Sequence, residues 1–528
     1  MGRAFRGILC AFLAAAVLTG CSAGDSSSSG QPSFSIIDAG EYSSAVKPQT
    51  SVTAAEPNQT EPSSAPQEST ESRPDASSDT EQTVDTPETP SPEVPVTEPQ
   101  ESLPGEQPPS DEPSSVPETS VTTTVTTTTT VTTTTEEQQP EEQPEELPAQ
   151  PEFGTNSYCA LNHAEVQGVW ISYLEFMELL QGKSGSEFRE NIAAAFDNCV
   201  ETGLNTVYIH ARSHSDAFYQ SELFPWSKYV TGTLGADPGF DPLEIVVEEA
   251  HARGISVQAW INPLRAVSTS DMDSYGDYAV YRWHADPEKK GKYVVPVSGY
   301  YYLDPAYDEV IQLIADGAAE IVSRYDVDGL HIDDYFYPTT DASFDSAAFA
   351  ESGYSVLSDF RFANCDRLVS SIYSAVKSAN PTALFSVSCQ GSIENNYNLM
   401  YADVEKWCTE SGYLDYIVPQ IYYGFDNSTQ PYVQCLSRWE DFAARGGIPL
   451  VTGLSVSKVG YEDKWAGEGK TEWLTDKKIL ARQLEEAMKC TSYGGAALYS
   501  YKSIFSADSS VSAQVNEEIT AYSLMIKQ

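Results

Sequence analysis

The stretch GLHIDDYFYP, residues 329–338, decides how this chain is read. A short apolar run ends in two adjacent carboxylates, Asp333 and Asp334, and then gives way to aromatics and a proline. Before it, VIQLIADGAAEIVSRY (310–325) repeats apolar residues at helical spacing, and RLVSSIYSAVKSAN (367–380) does so after it. Helix, short buried strand, polar strand end and helix again is the repeating unit of a parallel α/β fold. Side chains alternate along a strand. With Leu330 and Ile332 facing the helices, Gly329, His331 and Asp333 face the other way.

The unit recurs along the chain. Strand-like runs occur at 166–173, 204–212, 255–265, 327–336, 383–391, 414–423, 449–458 and 496–505. Between them lie amphipathic stretches such as EFRENIAAAFDNCVETG and PLEIVVEEAHARG, ending in the glycine that caps a helix before the next strand. Eight strands alternating with helices predict an α/β fold of the (β/α)8 TIM-barrel type over 160–528. A doubly wound sheet is the rival, and it lacks a GxGxxG turn after the first strand. Two long connections, 213–242 and 266–305, follow the ends of strands two and three, where barrel loops build binding clefts.

Alternation places one residue from the end of each of six strands inside the barrel: Arg212, Asn262, Asp333, Gln390, Gln420 and Tyr501. Tyr208, His210, Gln258, Trp260, Ser388, Tyr422 and Tyr499 join them. A purely structural barrel fills its layers with branched apolar side chains. A polar cup with an aromatic rim suits a sugar ring, which needs hydroxyl partners and flat faces. Taken singly, each residue has a plainer reading. Arg212 could neutralise Asp333, Asn262 could serve the turn before Pro263, and His210 and His331 could be hydrogen-bonded core histidines. Two histidines with two carboxylates could also take a divalent metal. No HxH, HExxH or EF-hand spacing is present, so neither metal nor cofactor is expected.

The N-terminal part is different in kind. Residues 1–21 carry Arg3 and Arg6, a short apolar core, and Leu18-Thr19-Gly20-Cys21. They read as a signal peptide, too short for a stable membrane span. Residues 22–150 are dominated by Ser, Thr, Pro, Glu and Gln, with 25 acidic residues against Lys47 and Arg73. Such a segment buries too little apolar surface to offset ordering and is expected to be a disordered linker. As a flexible coil it would span roughly 65 Å. It also holds about half of the formal charge of −47, so the acidity says little about the folded domain's ligand and argues against nucleic acid. The seven cysteines beyond Cys10 and Cys21 show no CxxC spacing, which gives neither a metal cluster nor a disulfide framework.

Three resemblances add to this reading. The L-T-G-C ending resembles the lipobox of bacterial lipoproteins, which implies lipidation of Cys21 and an exported protein held on the cell membrane, facing the cell wall. The stretches EVQGVWIS, VYIHARSHSDAFYQSELFPWS, GISVQAWINPLR, YYLDPAYDEV, DVDGLHIDDYFYP, FRFANCDRLV and YIVPQIYYGF resemble the bacterial family 10 glycosyl-hydrolase-like proteins, in order, over about 160–505. That family implies a TIM barrel hydrolysing glycosidic bonds, with bacterial cell-wall peptidoglycan strands as the favoured polysaccharide. The GLHID stretch is also similar to the fourth strand end of the α-amylase superfamily, where the inward aspartate is the nucleophile, and it maps onto Asp333. The strand-five end, SCQGSIENN, departs from the family pattern.

Glycosidases generally use two carboxyl groups. Asp333 is the candidate nucleophile or base, with Arg212 holding it ionised. The acid is Asp334 or Glu394, with Asp216 a third choice. Arg212, Asp216, Trp260, Asn262, His331, Tyr335, Gln420, Tyr422 and Tyr501 are the candidate substrate contacts. Tyr337 and Tyr423 are further stacking faces, and Asp304 caps the following helix. The expected protein is a monomer acting on a polysaccharide. The alternatives are a non-catalytic glycan-binding lipoprotein on a degenerate barrel and a metal-dependent deacetylase.

Overall fold

The computed structural model describes residues 153–527. The expected signal peptide, Cys21 and the expected linker at 22–150 lie outside those residues. The chain begins the barrel with β1 (Val166–Ile171), β2 (Thr206–Arg212) and β3 (Ser256–Ile261). The long connection after β3 then folds on itself as β4 (Arg265–Ser268), β5 (Val294–Val297) and β6 (Tyr300–Leu303), an antiparallel sheet in the order β4-β6-β5. The barrel resumes with β7 (Gly329–Ile332), β8 (Leu384–Val387), β9 (Tyr416–Ile417), β10 (Leu450–Ser455) and β11 (Tyr493–Tyr499). β11 pairs in parallel with β1, which closes eight strands into a TIM barrel.

Both faces of these strands are covered, so they read as near-continuous apolar runs. Every residue of β2, β3, β7 and β10 is buried. The helix Gly185–Thr202 shows how the sequence sets element ends. Ser184 and Glu187 form a reciprocal capping box at its start, and Gly203, at φ 98°, ends it. The only expected strand that shifts is the last. It starts earlier, at Tyr493, and ends at Tyr499, because a helix begins at Tyr501. Glu175 enforces that break by accepting from Ser500 Oγ at 2.5 Å and from the Lys502 backbone N–H at 2.7 Å.

Outward strand residues, including Val207, Ile209, Leu330 and Ile332, pack with the helices in one large apolar core. A second, smaller core fills the barrel interior: Trp170, Tyr208, Trp260, Tyr416, Val418, Val451 and Ala497. Gly168 makes room inside, since a Cβ there would lie 2.7 Å from the Tyr208 ring. This aromatic plug is the floor on which the strand-end residues stand.

Candidate active site

β7 ends at Ile332, so the carboxylates that follow are no longer bound by strand alternation. Asp333 stays buried over the floor, and Asp334 is half-buried beside it. Asn262, just beyond β3, donates from Nδ2 to Asp333 Oδ1 at 2.6 Å, and the Tyr335 backbone N–H donates to the same oxygen at 3.3 Å. Gln420 donates from Nε2 to Asp334 Oδ1 at 3.2 Å. Each carboxyl therefore has its own amide donor, and both belong to one site. Burial, and then the adjacent Asp334 carboxylate, push Asp333 above the ordinary carboxylate range, while Arg265 and the two donors pull against them. Asp334 is also raised by burial, against the pull of Gln420 and Gln390.

Behind Asn262 runs a directed chain. The Tyr173 backbone N–H donates to His210 Nδ1 at 2.9 Å, which leaves the ring proton on Nε2 to be donated to Asn262 Oδ1 at 3.1 Å. Burial, with the Arg265 charge second, holds His210 well below the usual histidine range, so it is neutral. Arg265 Nη2 donates to the same Asn262 oxygen at 2.9 Å and also to the Ser213 carbonyl at 2.8 Å. Its guanidinium lies over the Tyr335 ring, 4.4 Å from the centroid, and 5.4 Å from that of Tyr173. With its oxygen accepting twice, the Asn262 amide can only present N–H to Asp333.

Several expected contacts lie elsewhere. Arg212 does not reach Asp333. Between His210 and Arg212 the β2–β3 register slips, so that His210 pairs with Trp260 but Arg212 with Ile261. This bulge at Ala211 turns Arg212 into the helix layer, 4.2 Å over the Phe224 ring. Gly317, on the helix Asp308–Arg324, leaves room for its guanidinium, since a Cβ there would lie 2.1 Å from Nη1. The cation of the site is instead Arg265, whose signal was its place at the end of the GISVQAWINPLR stretch. Glu394 is exposed and paired with Arg438 at 2.7 Å; its own backbone N–H and then Arg438 lower its pKa against the effect of burial, which makes it a poor proton donor. Tyr501 opens a helix and bonds Asn198 at 3.1 Å on the outer side of the barrel.

His331 and Trp260 are part of the floor. The Trp170 indole donates to His331 Nε2 at 3.2 Å, and His331 Nδ1 meets Ser386 Oγ at 2.8 Å. Burial pushes His331 down to about 3, so it is a neutral core histidine. The Trp260 ring is covered by His210, with centroids 3.4 Å apart. Tyr337 is also buried, bonding Asn364 at 3.0 Å. Asp304 accepts from the Ala306 N–H at 2.9 Å ahead of the helix at Asp308 rather than capping it.

Tyr335 and Gln420 stand with the carboxylates, and Tyr422 stacks on Tyr499 with centroids 5.7 Å apart. Asp216 is buried in the connection after β2, and burial pushes it up to about 6. Both histidines below the carboxylates have their ring nitrogens engaged. Among the described residues no group of three or more His, Cys, Asp or Glu side chains could hold a metal ion.

Residues 165–467 match the family described as Glycosyl hydrolase-like 10. Glycosyl hydrolase YngK of Bacillus subtilis (strain 168) is 30% identical over 352 residues, covering 62% of this chain and 67% of that protein. Glycosyl hydrolase DigH of Escherichia coli (strain K12) is 33% identical over 295 residues, covering 51% of this chain and 66% of that protein. Among solved structures, the PgaB (BpsB) glycoside hydrolase domain from Bordetella bronchiseptica aligns with 63% of this chain and 94% of that one, at 12% identity and a TM-score of 0.42. The matched region runs from β1 through the carboxylate pair to the segment after β10, and the chain belongs to the glycosyl hydrolase-like 10 family.

Proposed function

We propose that this protein hydrolyses O-glycosidic bonds of a polysaccharide, the glycan strands of bacterial peptidoglycan, and that it does so while exported and anchored through a lipid on Cys21. The observation that carries the reading is the pair Asp333 and Asp334, each held by an amide and both raised by burial. Burial raises both carboxyls, and the Asp334 charge raises Asp333 further, which favours one protonated and one ionised member. The protonated member donates to the leaving oxygen as the C1–O bond breaks. The ionised member faces the positive charge developing at C1; water supplies the oxygen that finally bonds to C1, either directly or by releasing a glycosyl ester of that carboxylate, and the water's proton passes to an ionised carboxylate. Asn262 and Gln420 fix the two groups, and Tyr335 and Tyr422 offer flat faces to sugar rings. YngK and DigH are both named as glycosyl hydrolases, which supports the same chemistry. A linker at 22–150 would let the barrel range through wall polymer.

The test is direct. The full chain is incubated with peptidoglycan glycan strands stripped of stem peptides, and new reducing ends are counted. Their release, lost in Asp333→Asn, is the expected result. Binding of the strands without any release would instead make this a glycan-binding protein.

A further inference from the structure

Asp334 has a second amide partner besides Gln420. The side chain of Gln390, in the turn after β8, also hydrogen-bonds it. Gln390 and Gln420 stand side by side, because they extend the pairing of β8 and β9 by one parallel bridge. The Gln420 N–H donates to the Cys389 carbonyl at 2.9 Å. A glutamine amide helps a carboxylate only when it turns its nitrogen towards it. For Gln390, Asn395 decides the way round: its Nδ2 donates to Gln390 Oε1 at 3.1 Å. With that oxygen engaged, Gln390 presents N–H to Asp334.

The next residue, Asn396, grips the Gln390 backbone. Its Oδ1 accepts from the Gln390 N–H at 3.1 Å, and its Nδ2 donates to the Gln390 carbonyl at 2.8 Å. The two asparagines end the stretch SCQGSIENN and do different work. Asn396 is fully buried and fixes the chain, while Asn395 is half-buried and fixes the side chain. Packing from outside keeps the turn in place. Trp439 Nε1 donates to the Gly391 carbonyl at 3.0 Å, and a Cβ at Gly391 would lie 2.3 Å from the Gln420 carbonyl oxygen.

We propose that Asn395 is a positioning residue for the reaction, which acts through Gln390 by holding its oxygen and so keeping its N–H on Asp334. The inference rests on the proposed hydrolase reading. Amide donors favour the ionised form of a carboxyl. Loss of the Asn395 donor frees the Gln390 amide to turn its oxygen to Asp334, which then ionises less readily. The other groups facing Asp334 are few. Asp333 opposes its charge, and Arg265 from β4 favours it. Burial keeps Tyr335, Tyr423 and Cys389 neutral.

The experiment follows kcat and KM against pH for the full chain acting on glycan strands stripped of stem peptides. Asn395→Ala removes the donor, and Asn395→Leu removes it while keeping the volume. In both, one limb of the kcat profile should move upward by about half a pH unit, roughly threefold in rate on that limb, as for one weakened hydrogen bond. It is the acidic limb if Asp334 is the ionised member and the alkaline limb if it is the proton donor. KM should stay within about twofold. In a Gln390→Ala protein, Asn395→Ala should add nothing, because the two act in series. Glu394→Gln loosens the same turn at Arg438 and should leave both limbs in place. Unmoved limbs, an equal shift with and without Gln390, or loss of the fold in both Asn395 variants overturn the positioning role. Cleavage with unmoved limbs leaves the hydrolase reading standing, whereas absence of cleavage by the wild type removes that reading and the role together.

Discussion

Asn262 joins His210 to Asp333: its amide oxygen accepts from His210 Nε2 at 3.1 Å, and its amide nitrogen donates to Asp333 Oδ1 at 2.6 Å. Because Arg265 donates to the same oxygen, the amide cannot turn over without presenting an oxygen to the carboxyl and leaving two donors unmet. Asp333 is thereby oriented from the side of β3 through Oδ1.

Asp333→Asn should abolish release of reducing ends, by on the order of 10²–10⁴-fold or more, as expected for loss of acid–base work. Its circular dichroism and unfolding midpoint should stay close to wild type. Asn262→Ala should lower kcat by a smaller factor, because it removes the orienting donor and not the carboxyl. Glu394→Gln should turn over at nearly the wild-type rate, since its carboxylate serves Arg438. Wild-type activity in Asp333→Asn would sink the assignment of the carboxylate pair.

The two arginines should separate cleanly. Arg265→Ala removes the cation that favours ionisation of both aspartates, so the pH–rate profile should move upward and kcat/KM should fall. Arg212→Ala removes a buried side chain packed on Phe224 and should cost stability on the order of 2–4 kcal/mol without moving the profile. A moved profile in Arg212→Ala would contradict the bulge at Ala211.

The pH dependence of the reaction has a definite direction. Turnover needs one proton on the pair. Acidification adds the second proton and alkalinisation removes the first, giving a bell. Since burial raises both groups, both limbs should lie above the ordinary aspartate range near 3.9. Rate measurements on glycan strands from pH 3 upward check this. An acidic limb at the ordinary value would show that the pair is better solvated than its burial implies.

Stability should carry a separate signature from Asp304. It is fully buried, Oδ2 has no partner, and burial pushes its pKa up to about 8 from 3.8. A raised carboxyl favours the folded state most below its unfolded pKa, and that contribution is lost as pH rises through the folded value. Between about pH 4 and 8, the wild type should lose roughly 1.4 kcal/mol per pH unit from this group. Asp304→Asn, which cannot ionise, should flatten that slope. Urea unfolding at pH 5 and 7.5 compares the two, and equal slopes would count against a neutral Asp304.

The barrel was legible because its strands are short, apolar and separated by helical periodicity, and because capping residues such as Ser184, Glu187 and Gly203 mark helix ends locally. Asp333, Asn262 and Gln420 were legible too. They stand at or just past strand ends, where strict alternation still holds or fails by a single residue. Arg212 and Tyr501 were misplaced for the same kind of reason. One inserted residue reverses every later side chain of a strand, and the helix at Tyr501 ends alternation altogether.

By itself, the sequence determined the eight-stranded α/β barrel, the contrast between the acidic N-terminal part and the Tyr- and Trp-rich domain, and the acidic strand end at 333–334. Each rests on local composition or on periodicity along the chain. Only the tertiary structure decided which cation stands by the carboxylates, that Asp334 turns towards Gln420, and that His331 and Trp260 belong to the floor. Those outcomes depend on register between strands far apart in sequence, such as the slip that pairs Arg212 with Ile261, and on which groups compete for the same buried donor.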